Sequence, residues 1–178
     1  MSKGYSGLFT NTSGTSVNNS RDTSITKPHE SYTVTDELKN HIENAQPSES
    51  GKAGIKGAHN KENFSNEIKR IGATITDTKP NSQIDGIEKI SYKMPKKDKF
   101  GKPTGEYQSS THEKTVYDPK KISTDAYLKR GLEAANNAAR ISSTGKLIRE
   151  WTGVDNQGVR WHGYCDNSGK ITSFFPED

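Results

Sequence analysis

The chain has 178 residues, of which 28% are hydrophobic, and a formal net charge of +4 at neutral pH. Its mean hydropathy of -1.00 is low for a fully packed chain of this length, which indicates one domain with an unpacked tail. The single cysteine, Cys165, excludes an internal disulfide framework, and no run reaches the roughly 20 apolar residues of a membrane-spanning helix. The excess of positive charge favours a polyanionic partner.

The N-terminal segment differs in composition from the rest of the chain. It is rich in Ser, Thr, Asn and Gly, contains few large apolar residues and shows no hydrophobic period. Such a segment cannot bury enough apolar surface to offset the entropy of ordering, so we expect residues 1–32 to be a flexible leader. Residues 1–16 also lack the apolar stretch of a signal peptide. One folded domain is expected over residues 33–178.

A first helix is predicted after Thr35, a good N-cap residue that two acidic residues follow in the first turn. Leu38, Ile42 and Ala45 then fall on one face at helical spacing, and His41 lies next to that face. This pattern predicts a short amphipathic helix that carries a histidine near its C-terminal end.

A second helix is predicted after the Gly/Ser-rich loop over residues 46–58. His59 ends this loop, Asn60 is the predicted N-cap and Gly72 the predicted C-cap. The apolar stripe of this helix consists of Phe64, Ile68 and Ile71. Both histidines, His41 and His59, therefore lie near one Gly-rich connection.

Beyond the second helix the apolar residues follow a period of two, which predicts strands in "ATITDT", "GIEKISYKM" and "STHEKTVYDP". A Lys/Gly/Pro-rich hairpin is predicted over residues 95–106, and a third helix, capped by Ser123, over about residues 124–140. Three short strands, joined by "DNQG" and "DNSG" turns, follow this helix. The order of helices first and antiparallel strands later, with one intervening helix, predicts an α+β fold.

The two histidines have the chemistry that RNA cleavage requires. Cleavage through the 2'-hydroxyl needs a base for that hydroxyl, an acid for the leaving 5'-oxygen and positive charge or N–H donors for the phosphate. His59 follows Gly57 and Ala58, which let a phosphate approach the backbone at the start of a helix. A pair of histidines 18 positions apart, such as His41 and His59, is nevertheless more often incidental than catalytic.

The other chemistry-bearing residues are predicted to be structural or exposed. His29 lies in the expected leader, and His112, near the start of a strand, is expected at the surface. His162 and Cys165 supply two metal ligands, whereas a structural zinc site normally has four. We therefore interpret both as alternating strand residues and predict no metal site.

Three stretches, in the same chain order, resemble the EndoU family of endoribonucleases. "LKNHIENA" with "GIKGAHN" resembles the family's active-site histidines around a Gly-rich loop, and "SSTHEKTVYDP" resembles its strand with the catalytic lysine. "WHGYCDNSGKITSFFP" is similar to its last hairpin. The "KTVYDPKKIS" stretch and the "FFP" ending point to the bacterial toxin branch, found in contact-dependent growth inhibition proteins. The resemblance covers about residues 35–177.

This resemblance implies an EndoU-like fold of the barnase–EndoU–colicin–RelE type and a mechanism without a cofactor. It implies His59 as the base, His41 as the acid and Lys114 as the cation that stabilises the phosphate, with a 2',3'-cyclic phosphate as product. Taken alone, a strand lysine such as Lys114 usually faces solvent. Gly57 and Ser173 are expected to contact the base or the phosphate.

The resemblance leaves base preference open. Uridylate-specific members have a serine a few residues after the lysine and a tyrosine near the end, whereas this chain has Asp118 and Phe175 there. Phe175 is expected either to stack on a base or to be a core aromatic of the last strand.

The resemblance further implies a toxin that is exported within a larger surface protein and acts on RNA, with tRNA the expected target, in the cytoplasm of a target cell. It implies an acidic immunity protein as partner and no stable association with a membrane. The alternative is a non-catalytic RNA-binding or adhesin-associated module of the same fold. Lys96, Lys97 and Lys99 of the hairpin either bind RNA or belong to a solvated turn.

Overall fold

The computed structural model describes residues 28–48 and 52–178. Most of the expected leader therefore lies outside the described residues, and its boundary after residue 32 stays a prediction. The described end of that segment contacts the domain: the Glu30 N–H donates to the Gly145 carbonyl at 2.8 Å, and the Tyr32 N–H donates to Asn136 Oδ1 at 2.7 Å.

The three predicted helices are confirmed, together with the residues that cap them. They are α1 Asp36–Glu43, α2 Lys61–Ile71 and α3 Thr124–Ile141. The side chains of Thr35, Asn60 and Ser123 accept hydrogen bonds from backbone N–H groups in the first turns, as N-cap residues do. Gly72 closes α2 with a φ of 74°, a conformation that suits glycine. Within the described residues, none of the helices is both long and apolar enough to span a bilayer.

The described residues form antiparallel sheets. The strands are β1 Ala45–Gln46, β2 Lys56–Gly57, β3 Thr74–Pro80, β4 Ile87–Lys93, β5 Pro95–Lys97, β6 Pro103–Tyr107, β7 His112–Tyr117, β8 Glu150–Val154, β9 Arg160–Cys165 and β10 Ile171–Pro176. The two three-stranded sheets have the orders β3–β4–β7 and β10–β9–β8, and β1–β2 and β5–β6 form two-stranded pairs. The predicted α+β class is thus confirmed. The strands β1 and β2 were not predicted: β2 lies in the predicted loop over residues 46–58, and Ala45, predicted on the face of the first helix, lies in β1 because α1 ends at Glu43.

Over residues 28–48 and 52–178, the core consists of two clusters of buried side chains. The larger cluster lies among α1, α3 and the β10–β9–β8 sheet, with Tyr127, Trp161 and Phe174 at most 1% exposed. The smaller cluster packs α2, through Phe64, against the β3–β4–β7 sheet, where Tyr92 meets its ring edge-on at 5.3 Å between centroids. Each three-stranded sheet is therefore packed against a helix.

The segment between β2 and α2 joins the two halves of the molecule. The His59 N–H donates to the Ile42 carbonyl of α1 at 2.7 Å, and the Tyr117 N–H of β7 donates to the His59 carbonyl at 2.8 Å. The segment is thus hydrogen-bonded to α1 on one side and to the edge strand β7 on the other. A cleft opens where these elements meet the last strand, β10.

Candidate active site

One cleft, with a volume of about 490 Å³, contains all the predicted site residues. It lies between α1, the segment before α2, the edge strand β7 and the β9–β10 hairpin. The six predicted residues that line it are His41, Gly57, His59, Lys114, Ser173 and Phe175. Residues from four separate parts of the sequence therefore share one solvent-accessible space.

The backbone before His59 has an unusual local conformation. Gly57 and Ala58 have φ values of 69° and 56°, a region that residues other than glycine rarely adopt. A Cβ atom on Gly57 would meet the carbonyl oxygens of Asn44 and His41. Gly57 is therefore required by its φ and by the close approach of α1, and these two residues turn His59 into the cleft.

The sequence predicted that the backbone N–H groups of this segment face a phosphate, but in the structure they donate hydrogen bonds to α1 and the residue after it. The Ala58 N–H donates to the carbonyls of His41 and Asn44 at 3.0 and 2.9 Å, and the N–H groups of His59 and Asn60 donate to Ile42. These donors are engaged because α1 ends directly against the segment. Lysine side chains are thus left as the main source of positive charge in the cleft.

His59 is oriented as a neutral imidazole by hydrogen bonds at both ring nitrogens. Its side chain is only 4% exposed, and its Nδ1–H donates to the Thr115 carbonyl oxygen at 2.8 Å. This bond leaves Nε2 as an acceptor, 3.4 Å from the Ser173 hydroxyl. Burial lowers the pKa of His59 well below 6.5, and the charges of Lys114 and His41 lower the pKa further. The ring is therefore neutral at neutral pH, with Nε2 available as an acceptor.

His41 faces His59 across the cleft, with the two ring centroids 5.8 Å apart and the planes tilted by 44°. Its Nδ1–H donates to Gln46 Oε1 at 2.8 Å, which leaves Nε2 for a ligand. Burial lowers the pKa of His41, the bond to Gln46 opposes this, and the charges of Lys114 and Lys56 lower the pKa further. Since His41 is less buried than His59, it is the ring on which a proton is more readily held.

Lys114 supplies a positive charge beside the two rings. It lies on β7 next to Thr115, whose carbonyl binds His59, and it forms no ion pair within the described part of the chain. Burial lowers the pKa of Lys114 to about 8, so that the ammonium form still predominates at neutral pH. An anion bound in the cleft would neutralise this charge.

The last strand lines the opposite wall of the cleft. Ser173 and Phe175 alternate on β10, while Phe174, between them, is fully buried in the larger core cluster. Phe175 is half-buried, and its ring stacks on His162 with the centroids 5.4 Å apart and the planes 10° from parallel. Of the two expectations for Phe175, the geometry favours a ring at the cleft wall over a core aromatic.

Comparison with known proteins identifies the family. The family model described as bacterial EndoU nuclease matches residues 35–178. The chain belongs to the bacterial EndoU nuclease family. It resembles two curated proteins named tRNA nuclease CdiA: that of Yersinia mollaretii is 31% identical over 126 residues, and that of Escherichia coli strain STEC_O31 is 33% identical over 132 residues. The alignments cover 70% and 72% of this chain but only 4% of each relative's length.

Several residues of this EndoU domain line the cleft or orient its histidines without having been predicted from sequence. They are Gln46, Lys56, Lys89, Glu113, Thr115 and Tyr164. Two of them could be found from the sequence: Lys56 adjoins the predicted site residue Gly57, and Tyr164 belongs to the stretch that resembles the last hairpin of the family. Gln46 and the Thr115 carbonyl carry no sequence signal, since only the tertiary fold brings them to the rings.

Other residues considered from the sequence lie outside this cleft. Asp118, at the position of the uracil-binding serine, instead accepts a hydrogen bond from the Lys120 N–H at 2.9 Å. His112, expected at the surface, is half-buried because its ring packs on Tyr92 at 5.5 Å between centroids. Cys165 is buried, and burial raises the pKa of its thiol to about 11.

Proposed function

We propose that this EndoU domain is a metal-independent endoribonuclease toxin that cleaves RNA by attack of a 2'-hydroxyl on the adjacent phosphate. The observation that carries the proposal is the presence of two oriented imidazoles and an ammonium group in one cleft. The products would be a 2',3'-cyclic phosphate on one fragment and a 5'-hydroxyl on the other.

His59 acts as the general base in this mechanism. Its Nδ1–H is committed to the Thr115 carbonyl at 2.8 Å, so the lone pair of Nε2 is directed into the cleft. The low pKa of the buried ring keeps it neutral at physiological pH. Nε2 takes the proton of the 2'-hydroxyl as the bond from that oxygen to phosphorus forms.

His41 acts as the general acid. The bond from phosphorus to the leaving 5'-oxygen breaks as the protonated His41 transfers its Nε2 proton to that oxygen. Gln46 supports this role because its Oε1 accepts from Nδ1 at 2.8 Å and stabilises the protonated ring. The ring separation of 5.8 Å lets both imidazoles reach one phosphodiester.

Lys114 stabilises the negative charge that develops on the phosphate oxygens. Its ammonium group is largely removed from water, where a charge interaction is stronger than at an open surface. The same bound phosphate would raise the pKa values of both histidines, which favours the protonated acid in the complex. Ser173, 3.4 Å from His59, and Phe175 would position the 2'-hydroxyl and the base.

The proposed target is tRNA, and the proposed setting is contact-dependent inhibition of competing bacteria. Both relatives are named tRNA nuclease CdiA, and this chain aligns with 4% of each. The domain would accordingly be exported as part of a larger surface protein and act in the cytoplasm of the target cell. An acidic immunity protein that covers the lysine-bearing cleft would protect the producing cell.

Incubation of the purified protein with total tRNA in EDTA tests the proposal. We expect discrete fragments that end in a 2',3'-cyclic phosphate, and loss of cleavage by about a thousandfold or more in His59→Ala, because the proton-accepting group is removed. His29→Ala, which changes a histidine outside the cleft, is the control and should cleave normally. Intact RNA that is nevertheless bound tightly by the wild-type protein would support the alternative, a non-catalytic binding module.

A further inference from the structure

We propose that a second groove, on the far side of His41, binds the RNA strand that follows the scissile phosphate, and that Arg149 and Lys170 contact its first phosphate group. This inference rests on the proposed function and adds a direction to the bound RNA. The groove has a volume of about 570 Å³ and lies between α1, the segment before β8 and the β9–β10 turn.

The groove is continuous with the catalytic cleft. Three residues line both spaces: His41, Lys56 and Tyr164. His59, Lys114, Ser173 and Phe175 line only the catalytic cleft, whereas Arg149 and Lys170 line only the groove. His41 therefore stands at the passage between a space with the base and a space without it.

The division of roles between the histidines sets the direction of the strand. The proton acceptor must face the 2'-hydroxyl, so the nucleotide that carries this hydroxyl lies on the side of His59. The proton donor must face the 5'-oxygen, which belongs to the next nucleotide, so that nucleotide leaves on the side of His41. The first phosphate of the leaving strand then falls in the groove beyond His41.

The cations of the groove are free to bind that phosphate. Arg149, Lys170 and Lys56 are exposed, and none of them forms an ion pair among the described residues. A guanidinium group binds phosphate oxygens through two parallel N–H donors. The backbone of Arg149 is fixed, because its carbonyl accepts from the Cys165 N–H at 2.7 Å.

Two carboxylates also line the groove, and they leave an excess of positive charge. Oδ1 of Asp166 accepts hydrogen bonds within its own turn, from the Ser168 N–H at 2.9 Å, the Ser168 hydroxyl at 2.7 Å and the Lys170 N–H at 3.0 Å. Glu37 lies in the first turn of α1, where the helix dipole stabilises its charge. The hydrogen bonds from Ser168 and the Lys170 N–H lower the pKa of Asp166, and the nearby charge of Lys170 also lowers it. Three cations thus face two carboxylates, and the balance of the groove is one positive charge.

Oligoribonucleotides that differ only after the cut test this proposal. All three substrates have the same three nucleotides before the mapped cut. After the cut, the first has a single nucleoside, the second has that nucleoside with a 3'-phosphate, and the third has three nucleotides. We expect the added phosphate to raise kcat/KM in the wild-type protein. In Arg149→Ala, kcat/KM for the substrates with that phosphate should be about tenfold lower than in the wild-type protein. Arg149→Ala and Lys170→Ala should leave kcat/KM for the substrate without that phosphate nearly unchanged.

Arg140→Ala is the matched control, because Arg140 is an exposed arginine that lines neither space. An equal loss on all three substrates in Arg149→Ala, or no loss on any, overturns the proposal. A fourth oligonucleotide carries an added 5'-phosphate before the cut and one nucleoside after it. If Arg149→Ala removes a gain from that phosphate instead, the proposal is overturned, because the strand would then run in the opposite direction. Absence of tRNA cleavage by the wild-type protein would instead count against the proposed function itself.

Discussion

Each imidazole of the cleft has one ring nitrogen fixed by a hydrogen bond and the other turned toward the space where a substrate would lie. A backbone carbonyl, from Thr115, holds His59, and a side-chain amide, from Gln46, holds His41. The backbone carbonyl belongs to a sheet and cannot rotate away, whereas the amide side chain can. The base is therefore the more rigidly oriented of the two groups, which suits a role in alignment of the attacking hydroxyl.

We expect kcat/KM for RNA cleavage to follow a bell-shaped pH profile with its maximum on the acid side of pH 6.5. His59 must be neutral and His41 protonated, and both pKa values are lowered, so activity falls as pH rises through the pKa of His41. Lys56→Met should move this alkaline limb to higher pH, because the charge of Lys56 lowers the pKa of His41.

Initial rates between pH 4 and 9 at constant ionic strength measure this profile. Lys69→Met, which changes an exposed lysine on α2, is the control and should leave both limbs in place. A rate that increases monotonically from pH 5 to 9 would contradict the two-histidine mechanism.

At the scale of elements, the local signals in the sequence predicted the helices, their caps and the hairpins. Thr35, Asn60 and Ser123 cap helices because short-range hydrogen bonding determines those positions. The positive φ of Ala58 and the carbonyl that orients His59 could not be predicted, because both depend on how the segment before α2 packs between α1 and β7. The resemblance of three motifs in the family's order predicted Lys114 as a site residue, whereas its position on a strand alone predicts a lysine that faces solvent.

The β5–β6 hairpin carries the lysines that the sequence analysis considered for RNA binding. It extends its lysines away from the core, with Phe100 76% exposed and Lys99 Nζ 5.0 Å from the centre of that ring. We expect Lys→Gln replacement at positions 96, 97 and 99 to weaken tRNA binding. The slope of log K against log salt should become shallower by about 0.7–0.9 for each phosphate that these lysines no longer neutralise.

Binding should be measured in the His59→Ala background, so that the RNA stays intact during titration. The control replaces three exposed lysines that line neither cleft nor groove: Lys69, Lys79 and Lys129. If the hairpin variant keeps both the affinity and the salt slope of the parent, the hairpin is a solvated turn and its lysines play no part in RNA binding.

At the scale of the whole molecule, we expect the cleft to lower the stability of the domain that contains it. Buried groups that ionise near neutral pH oppose folding in their charged forms, and the cleft contains three of them on separate elements. The fold offsets this with fully paired sites elsewhere, such as Asp155, whose carboxylate accepts from Arg130 at 2.8 Å and from Trp161 at 2.9 Å. Activity and stability therefore make opposite demands on the same few residues.

We expect Lys114→Met to stabilise the free domain at pH 7 while it abolishes cleavage. The folded-state pKa of about 8 lies below the ordinary 10.5, so the folded state binds fewer protons between these values. The free energy of unfolding of the wild-type domain should therefore increase as pH rises from about 8 to 10.5, and the penalty is fully present below pH 8. Removal of the charge should raise Tm at pH 7 by about 3 °C or more.

Thermal unfolding followed by circular dichroism at pH 7, 8, 9 and 10 measures this effect. The difference in Tm between wild type and Lys114→Met should shrink as pH rises, because the wild-type lysine loses its charge. Lys89→Met, at an exposed lysine of the same cleft, should change Tm little at any of these pH values. A Lys114→Met variant that melts below the wild type at pH 7, with a difference independent of pH, would show that the buried ammonium group stabilises the fold instead of opposing it.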